Sequence, residues 1–143
     1  MSKRVLWVDN DPAYIRIYVD ELIDNSYEVT VVKSVAEAES LVATNSYDLL
    51  ILDVMIPTVD DKEELDYPPE QTDYGHKTGL LFYKRMKARL EENNTPVLVM
   101  TVRLDRDIND EFVQAGLPRE RISTKFALRD VGDFMNMVES ICK

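Results

Sequence analysis

The chain has 143 residues, 45% hydrophobic and 31% charged, which suits one soluble globular domain with one sizeable core. Its formal net charge of -10 argues against a nucleic-acid or anionic-membrane surface, since both need clustered Lys and Arg. A single cysteine, Cys142, excludes an internal disulfide framework and points to a reducing compartment. Ser2-Lys3-Arg4 leads straight into a predicted strand, with no secretory signal or apolar stretch of spanning length, so a cytoplasmic protein is expected.

Val5-Leu6-Trp7-Val8 reads as a buried first strand that ends in Asp9-Asn10-Asp11. Asp11-Pro12 reads as an N-cap followed by proline at the first helical position. Ile15, Val19, Leu22 and Ile23 recur at helical spacing, so the first helix runs to about Asp24. The β-branched stretch Glu28 to Lys33 is a second strand. Ser34-Val35-Ala36-Glu37 is a capping box that opens a second helix through about Ala43. Leu49 to Leu52 is an unbroken apolar run, the signature of a central parallel strand covered on both faces, and Asp53 follows at once.

Residues 58–77 are the irregular region. Seven acids (Asp60, Asp61, Glu63, Glu64, Asp66, Glu70 and Asp73) stand there against Lys62 and Lys77. Pro68-Pro69 breaks any regular element. This acidic stretch reads as one long inserted loop, and loops of such length tend to be functional or disordered. It reads as a solvated, mobile insertion. A sharper reading makes it a lid or docking surface anchored by Tyr67 and Tyr74. His76 reads as an ordinary loop residue.

Regular structure resumes at Thr78-Gly79, where Leu80, Tyr83, Met86 and Leu90 stripe a third helix. Pro96 to Thr101 is a fourth strand with Thr101 as its polar end. Asp105 to Ala115 is a polar fourth helix, stopped by Gly116. Arg121 to Lys125 is the fifth strand, ending in Lys125. Leu128, Val131, Met135, Val138 and Cys142 stripe the last helix.

Five alternations of strand and helix predict an α/β fold: a doubly wound five-stranded parallel sheet, flavodoxin-like in order 2-1-3-4-5, with helices on both faces. The carboxyl ends of the strands then share one edge, where ligands bind in open α/β sheets. That edge gathers Asp9, Asn10, Asp11, Asp53, Thr101 and Lys125. Carboxylates suit a hard cation such as Mg²⁺, which takes one or two protein carboxylates and keeps several waters. A carboxylate can also be a nucleophile that yields an acyl phosphate. An ammonium and a hydroxyl can spread the charge of a moving phosphoryl group.

Val8-Asp9-Asn10-Asp11-Pro12, Leu52-Asp53-Val54-Met55-Ile56-Pro57, Val99-Met100-Thr101 and Thr124-Lys125 together resemble the receiver domain of two-component response regulators. The resemblance is to the single-domain chemotaxis-regulator type and covers the chain except the acidic stretch. It implies a phosphorelay signalling protein, a phosphoprotein carrying an aspartyl phosphate, that assists its own phosphorylation and dephosphorylation without being an enzyme. Asp53 would be the phosphoacceptor, Thr101 would bond a phosphoryl oxygen, and Lys125 would pair with the phosphoryl group. Asp9, Asn10, Asp53 and the backbone carbonyl of Met55 would hold Mg²⁺. The implied partners are a sensor histidine kinase or phosphotransfer protein and a downstream protein. The downstream protein would meet the face of the fourth helix, fifth strand and fifth helix. A homodimer stays open, and no nucleic acid or membrane contact is expected.

Four positions depart from that pattern. Asn10 replaces a metal-binding acid, Val102 a small residue, Ile122 a switch aromatic, and Phe126 a proline whose peptide bond is usually cis. Bulk at Val102 is expected to narrow access to Asp53. Two other readings stand beside the receiver: a pseudo-receiver interaction module with weak or no phosphorylation, and a haloacid-dehalogenase-type phosphatase using Asp9 as nucleophile.

Overall fold

The computed structural model describes residues 2–58, 60–102, 105–125 and 130–143. The sheet has five strands: β1 (Arg4–Val8), β2 (Glu28–Val32), β3 (Leu49–Leu52), β4 (Val97–Thr101) and β5 (Ile122–Thr124). They are all parallel, in the order β2-β1-β3-β4-β5. The predicted α/β fold and strand order are therefore observed.

Alternation along each strand explains why β3 is apolar throughout. Leu50 and Leu52 enter one core with Leu6, Val8 and Val99. Leu49 and Ile51 enter another with Val5, Trp7, Leu98 and Met100. Successive side chains point to opposite faces, so a strand covered on both sides has no polar side. The first core is closed by α2 (Val35–Thr44), α5 (Thr78–Glu92) and α6 (Arg106–Gln114), through Val42, Phe82 and Phe112. The second is closed by α1 (Pro12–Asp24) and α7 (Val131–Ile141), through Ile15, Leu22, Phe134 and Val138.

Helix starts follow the predicted caps. Asp11 Oδ1 accepts from the Tyr14 N–H, and Ser34 Oγ from that of Glu37 at 3.2 Å. Gly116, at φ 111°, ends α6. Cys142 is buried against the second core. The expectations at Phe126 and Leu128 fall outside the described residues.

The stretch 58–77 departs from its reading as a loop. It contains two short helices, α3 (Asp61–Asp66) and α4 (Pro69–Thr72). Asp60 caps the first by accepting from the Glu63 N–H at 2.8 Å, and the acids Asp61, Glu63 and Glu64 occupy its first turn. That is where the helix dipole favours negative charge. The two prolines separate the helices, and Pro69 occupies an opening position of α4, which proline tolerates. Nor is the stretch wholly solvated. Tyr67 is 1% exposed within the first core, while Tyr74 is 81% exposed.

Tyr67 reaches its place by satisfying its hydroxyl. It donates to a Glu39 carboxylate oxygen on α2, and that carboxylate also pairs with Arg85 of α5 at 3.1 Å. The Arg85 guanidinium lies 5.2 Å from the Tyr67 ring centre, a cation–π contact. Burial and the neighbouring carboxylate push the Tyr67 phenol well above its ordinary pKa, so it remains a donor.

Candidate phosphoryl-transfer site

Four strands deliver polar residues to one edge. Asp9 follows β1, Asp53 follows β3, Thr101 ends β4 and Lys125 follows β5. All four are buried. Lys125 Nζ lies 2.5 Å from Asp9 Oδ2 and 3.6 Å from Asp53 Oδ2. The remaining oxygens meet backbone donors. Asp9 Oδ1 accepts from the Asp11 N–H and Asp53 Oδ1 from the Val54 N–H, both at 2.8 Å.

Two carboxylates against one ammonium leave the cluster short of positive charge. Burial, the largest influence, raises the Asp53 pKa, and the Asp9 carboxylate adds to it. Lys125 and the Val54 N–H pull the other way, and the balance stands at about 6. Asp53 is thus a carboxylate at neutral pH, but one whose charge is poorly compensated.

Beside the cluster lies a cleft of about 350 Å³. Val54, Met55 and Thr101 form its floor, Ile108 and Asn109 of α6 one wall, and Asp73, His76 and Lys77 another. The acidic stretch therefore borders this cleft. The Thr101 hydroxyl is buried and has no hydrogen-bond partner among the described residues. An orphaned buried hydroxyl carries a desolvation cost that an incoming acceptor would remove.

Hard oxygen donors suit Mg²⁺. Among the described residues no group of three or more His, Cys, Asp or Glu side chains gathers at one point. Asp9 and Asp53 would thus be joined by backbone, amide or water oxygens, as Mg²⁺ commonly accepts. Asn10 is exposed at the rim, Met55 is half-buried, and Asp11 serves as the α1 cap. Val102 is 41% exposed and does not line the cleft.

Three features of the site are not legible in the motifs. The Lys125 ammonium lies 5.3 Å from the centre of the Tyr14 ring. The Lys125 carbonyl accepts from the Tyr18 hydroxyl at 3.3 Å. At Gly79, an added Cβ would fall 2.1 Å from the Asp53 carbonyl oxygen, and the Gly79 N–H donates to the Val54 carbonyl at 2.9 Å. Glycine lets the start of α5 press directly on the backbone that carries Asp53.

No protein-family model matches the chain, and no curated protein does. Solved structures do. A putative response regulator from Chloroflexus aurantiacus J-10-fl is 22% identical with a TM-score of 0.72, covering 99% of this chain and 98% of the other. The Francisella response regulator 1452 receiver domain is 20% identical with a TM-score of 0.70, over 99% and 97%. The chemotaxis response regulator CheY4 of Vibrio cholerae is 19% identical with a TM-score of 0.69, over 99% of both chains. With its strand order, its buried acids at the strand ends and these neighbours, the chain has the receiver-domain fold of response regulators across nearly its whole length.

Proposed function

We propose that the chain is a phosphoryl-accepting signalling domain of a two-component phosphorelay. It is a single receiver domain over residues 1–143, with the acidic stretch 58–77 as an insertion. The observation that carries this reading is the joint burial of Asp53, Asp9 and Lys125 beside a cleft floored by Thr101. A scaffold that only binds partners has no chemical need for such a cluster.

In this reading an Asp53 carboxylate oxygen attacks the phosphorus of a phosphohistidine donor. The new O–P bond forms as the N–P bond breaks, and the imidazole nitrogen leaves with the electron pair. Lys125 pairs with the phosphoryl oxygens, and the Thr101 hydroxyl donates to one of them. Asp9, Asp53, the Asn10 amide oxygen and the Met55 carbonyl are the donors that would hold Mg²⁺, which when bound supplies further positive charge at those oxygens. The donor partner is a sensor histidine kinase or phosphotransfer protein. The downstream partner reads the face of α6, β5 and α7. The protein is a phosphoacceptor that assists its own phosphorylation and dephosphorylation, and it acts in the cytoplasm. Among the described residues no helix is long and apolar enough to cross a membrane.

One observation favours the pseudo-receiver. Lys125 sits closer to Asp9 than to Asp53, and the neighbouring Asn10 brings no charge. An Asp9 already compensated by an ammonium is a poorer metal ligand. The phosphatase reading is less favoured, because Asp9 is fully buried and both its oxygens are engaged.

Incubation with acetyl phosphate and Mg²⁺, followed by intact mass measurement and peptide mapping, separates the three. A single phosphoryl adduct that disappears in Asp53→Asn is expected. No adduct supports the pseudo-receiver, and turnover that depends on Asp9 supports the phosphatase.

A further inference from the structure

We infer that Tyr14 is a positioning residue for Lys125, an aromatic roof supplied by α1 that holds the ammonium over the Asp9–Asp53 pair. This inference rests on the receiver reading for its consequence, but its geometry stands independently.

Lys125 needs lateral support. It follows β5, an edge strand of three residues, and a long lysine side chain loses rotamer freedom when held in one place. Its backbone is fixed on two sides. The Lys125 N–H donates to the Thr101 carbonyl at 2.8 Å, and its carbonyl accepts from Tyr18. Tyr18 is itself held by Phe134 at 5.0 Å between ring centres, and Phe134 stacks on Trp7 at 5.6 Å. The head of the side chain meets Asp9, Asp53 and the Tyr14 ring. Lys125 is 3% exposed, whereas Tyr14 is 38% exposed, so Tyr14 forms the outer layer.

Tyr14 and Tyr18 are four residues apart on α1 and so share one helix face. The first turn of α1 is in turn tied to the acid cluster. Asp9 Oδ1 accepts from the Asp11 N–H, Asp11 Oδ1 accepts from the Tyr14 N–H, and Lys125 donates to Asp9 Oδ2. The contacts close a ring: Asp9, Asp11, Tyr14, Lys125, Asp9.

The chemistry of the roof matters. An aromatic face attracts an ammonium through its quadrupole without neutralising its charge. A carboxylate in the same place would add a third acid to a cluster already short of positive charge. The ring therefore confines Lys125 while leaving its charge available to a phosphoryl group on Asp53. With β5 carrying Ile122 in place of an aromatic, the aromatic contact to the site comes from α1.

Two variants and two readouts test this. Tyr14→Leu removes the ring and keeps apolar bulk, and Tyr14→Phe keeps the ring. The first readout is acylation of Lys125 by an N-hydroxysuccinimide ester on the folded protein, located by peptide mapping. The second is the rate of phosphorylation by acetyl phosphate with Mg²⁺. Tyr14→Leu is expected to raise Lys125 acylation severalfold and to slow phosphorylation about fivefold, the rate equivalent of about 1 kcal/mol. Tyr14→Phe should match the wild type in both. Lys125 acylation unchanged in Tyr14→Leu, or a Phe variant as impaired as the Leu variant, overturns the inference. A wild type that takes no phosphoryl group overturns the receiver reading instead, and the acylation readout still decides the role of Tyr14.

Discussion

Asp53 carries its charge at a cost that the fold does not fully offset. Its pKa stands at about 6 against 3.8 for an unperturbed group, so the native state binds a proton more tightly than the unfolded chain. Stability contributed by this group is therefore highest at low pH and is lost as pH rises from about 4 through about 6. At pH 7.5 and without Mg²⁺, the ionised Asp53 costs on the order of 2–3 kcal/mol. Asp53→Asn removes that cost while leaving Lys125 paired with Asp9. The variant should be more stable than the wild type by about that amount in urea unfolding at pH 7.5, and the difference should shrink towards zero near pH 4. A difference that does not change with pH would show that Asp53 is not the strained carboxylate. Asp9, Asp53 and Thr101 are legible in the sequence because each directly ends an apolar run, and Lys125 because it ends the last strand of the alternating pattern. Tyr14 and Tyr18 are not, because a residue half-turned to solvent on an amphipathic helix reads as ordinary surface until the neighbouring strand is placed beside it.

Elements fix these residues by contact between backbones as much as by side chains. At Gly79 the start of α5 touches the Asp53 carbonyl so closely that no Cβ fits. Gly79→Ala, ordinarily a helix-favouring change, should here cost roughly 2–3 kcal/mol as the backbone shifts. It should also depress the proposed phosphorylation of Asp53, measured with acetyl phosphate, because the displaced atoms are the backbone of Asp53 itself. Equal stability to the wild type would remove this account. The acidic stretch is where sequence and structure part most. Helices of six and four residues are too short to show a full apolar period, and the density of acids hides their apolar contacts. The local signal is present in Asp60 and Glu63, the ends of an Asp-x-x-Glu start. What holds the stretch down is Tyr67, wedged between Glu39 and Arg85. Tyr67→Ala should cost roughly 3–5 kcal/mol, in line with loss of a large buried aromatic. Limited proteolysis should then cut first within 58–77. If cleavage begins elsewhere at an unchanged rate, Tyr67 is not the anchor.

At the scale of the molecule, the doubly wound sheet explains why one edge gathers all the chemistry. Parallel strands joined by helical crossovers must end on the same side, and apolar strands leave their first polar residue there. What surrounds that edge then decides how long a phosphoryl group on Asp53 would last. Hydrolysis of an acyl phosphate needs a water held in line with the phosphorus, and the residue two positions beyond Asp53 lines the cleft beside it. Here that residue is Met55, a half-buried thioether on the floor of the cleft, which neither orients nor deprotonates water. Lys77 and Glu111, paired at 3.3 Å, join the start of α5 to α6 at the cleft. The phosphorylated form should therefore decay slowly, over minutes or longer at neutral pH with Mg²⁺, when followed by intact mass after removal of the donor. Met55→Asn places a hydrogen-bonding amide at the same position and should shorten the half-life, with Asp53 still the modified residue. Loss within seconds in the wild type would mean that another group near the cleft holds the water. His76, on the cleft wall, would then be the first to replace, since an imidazole can take the proton that Met55 cannot.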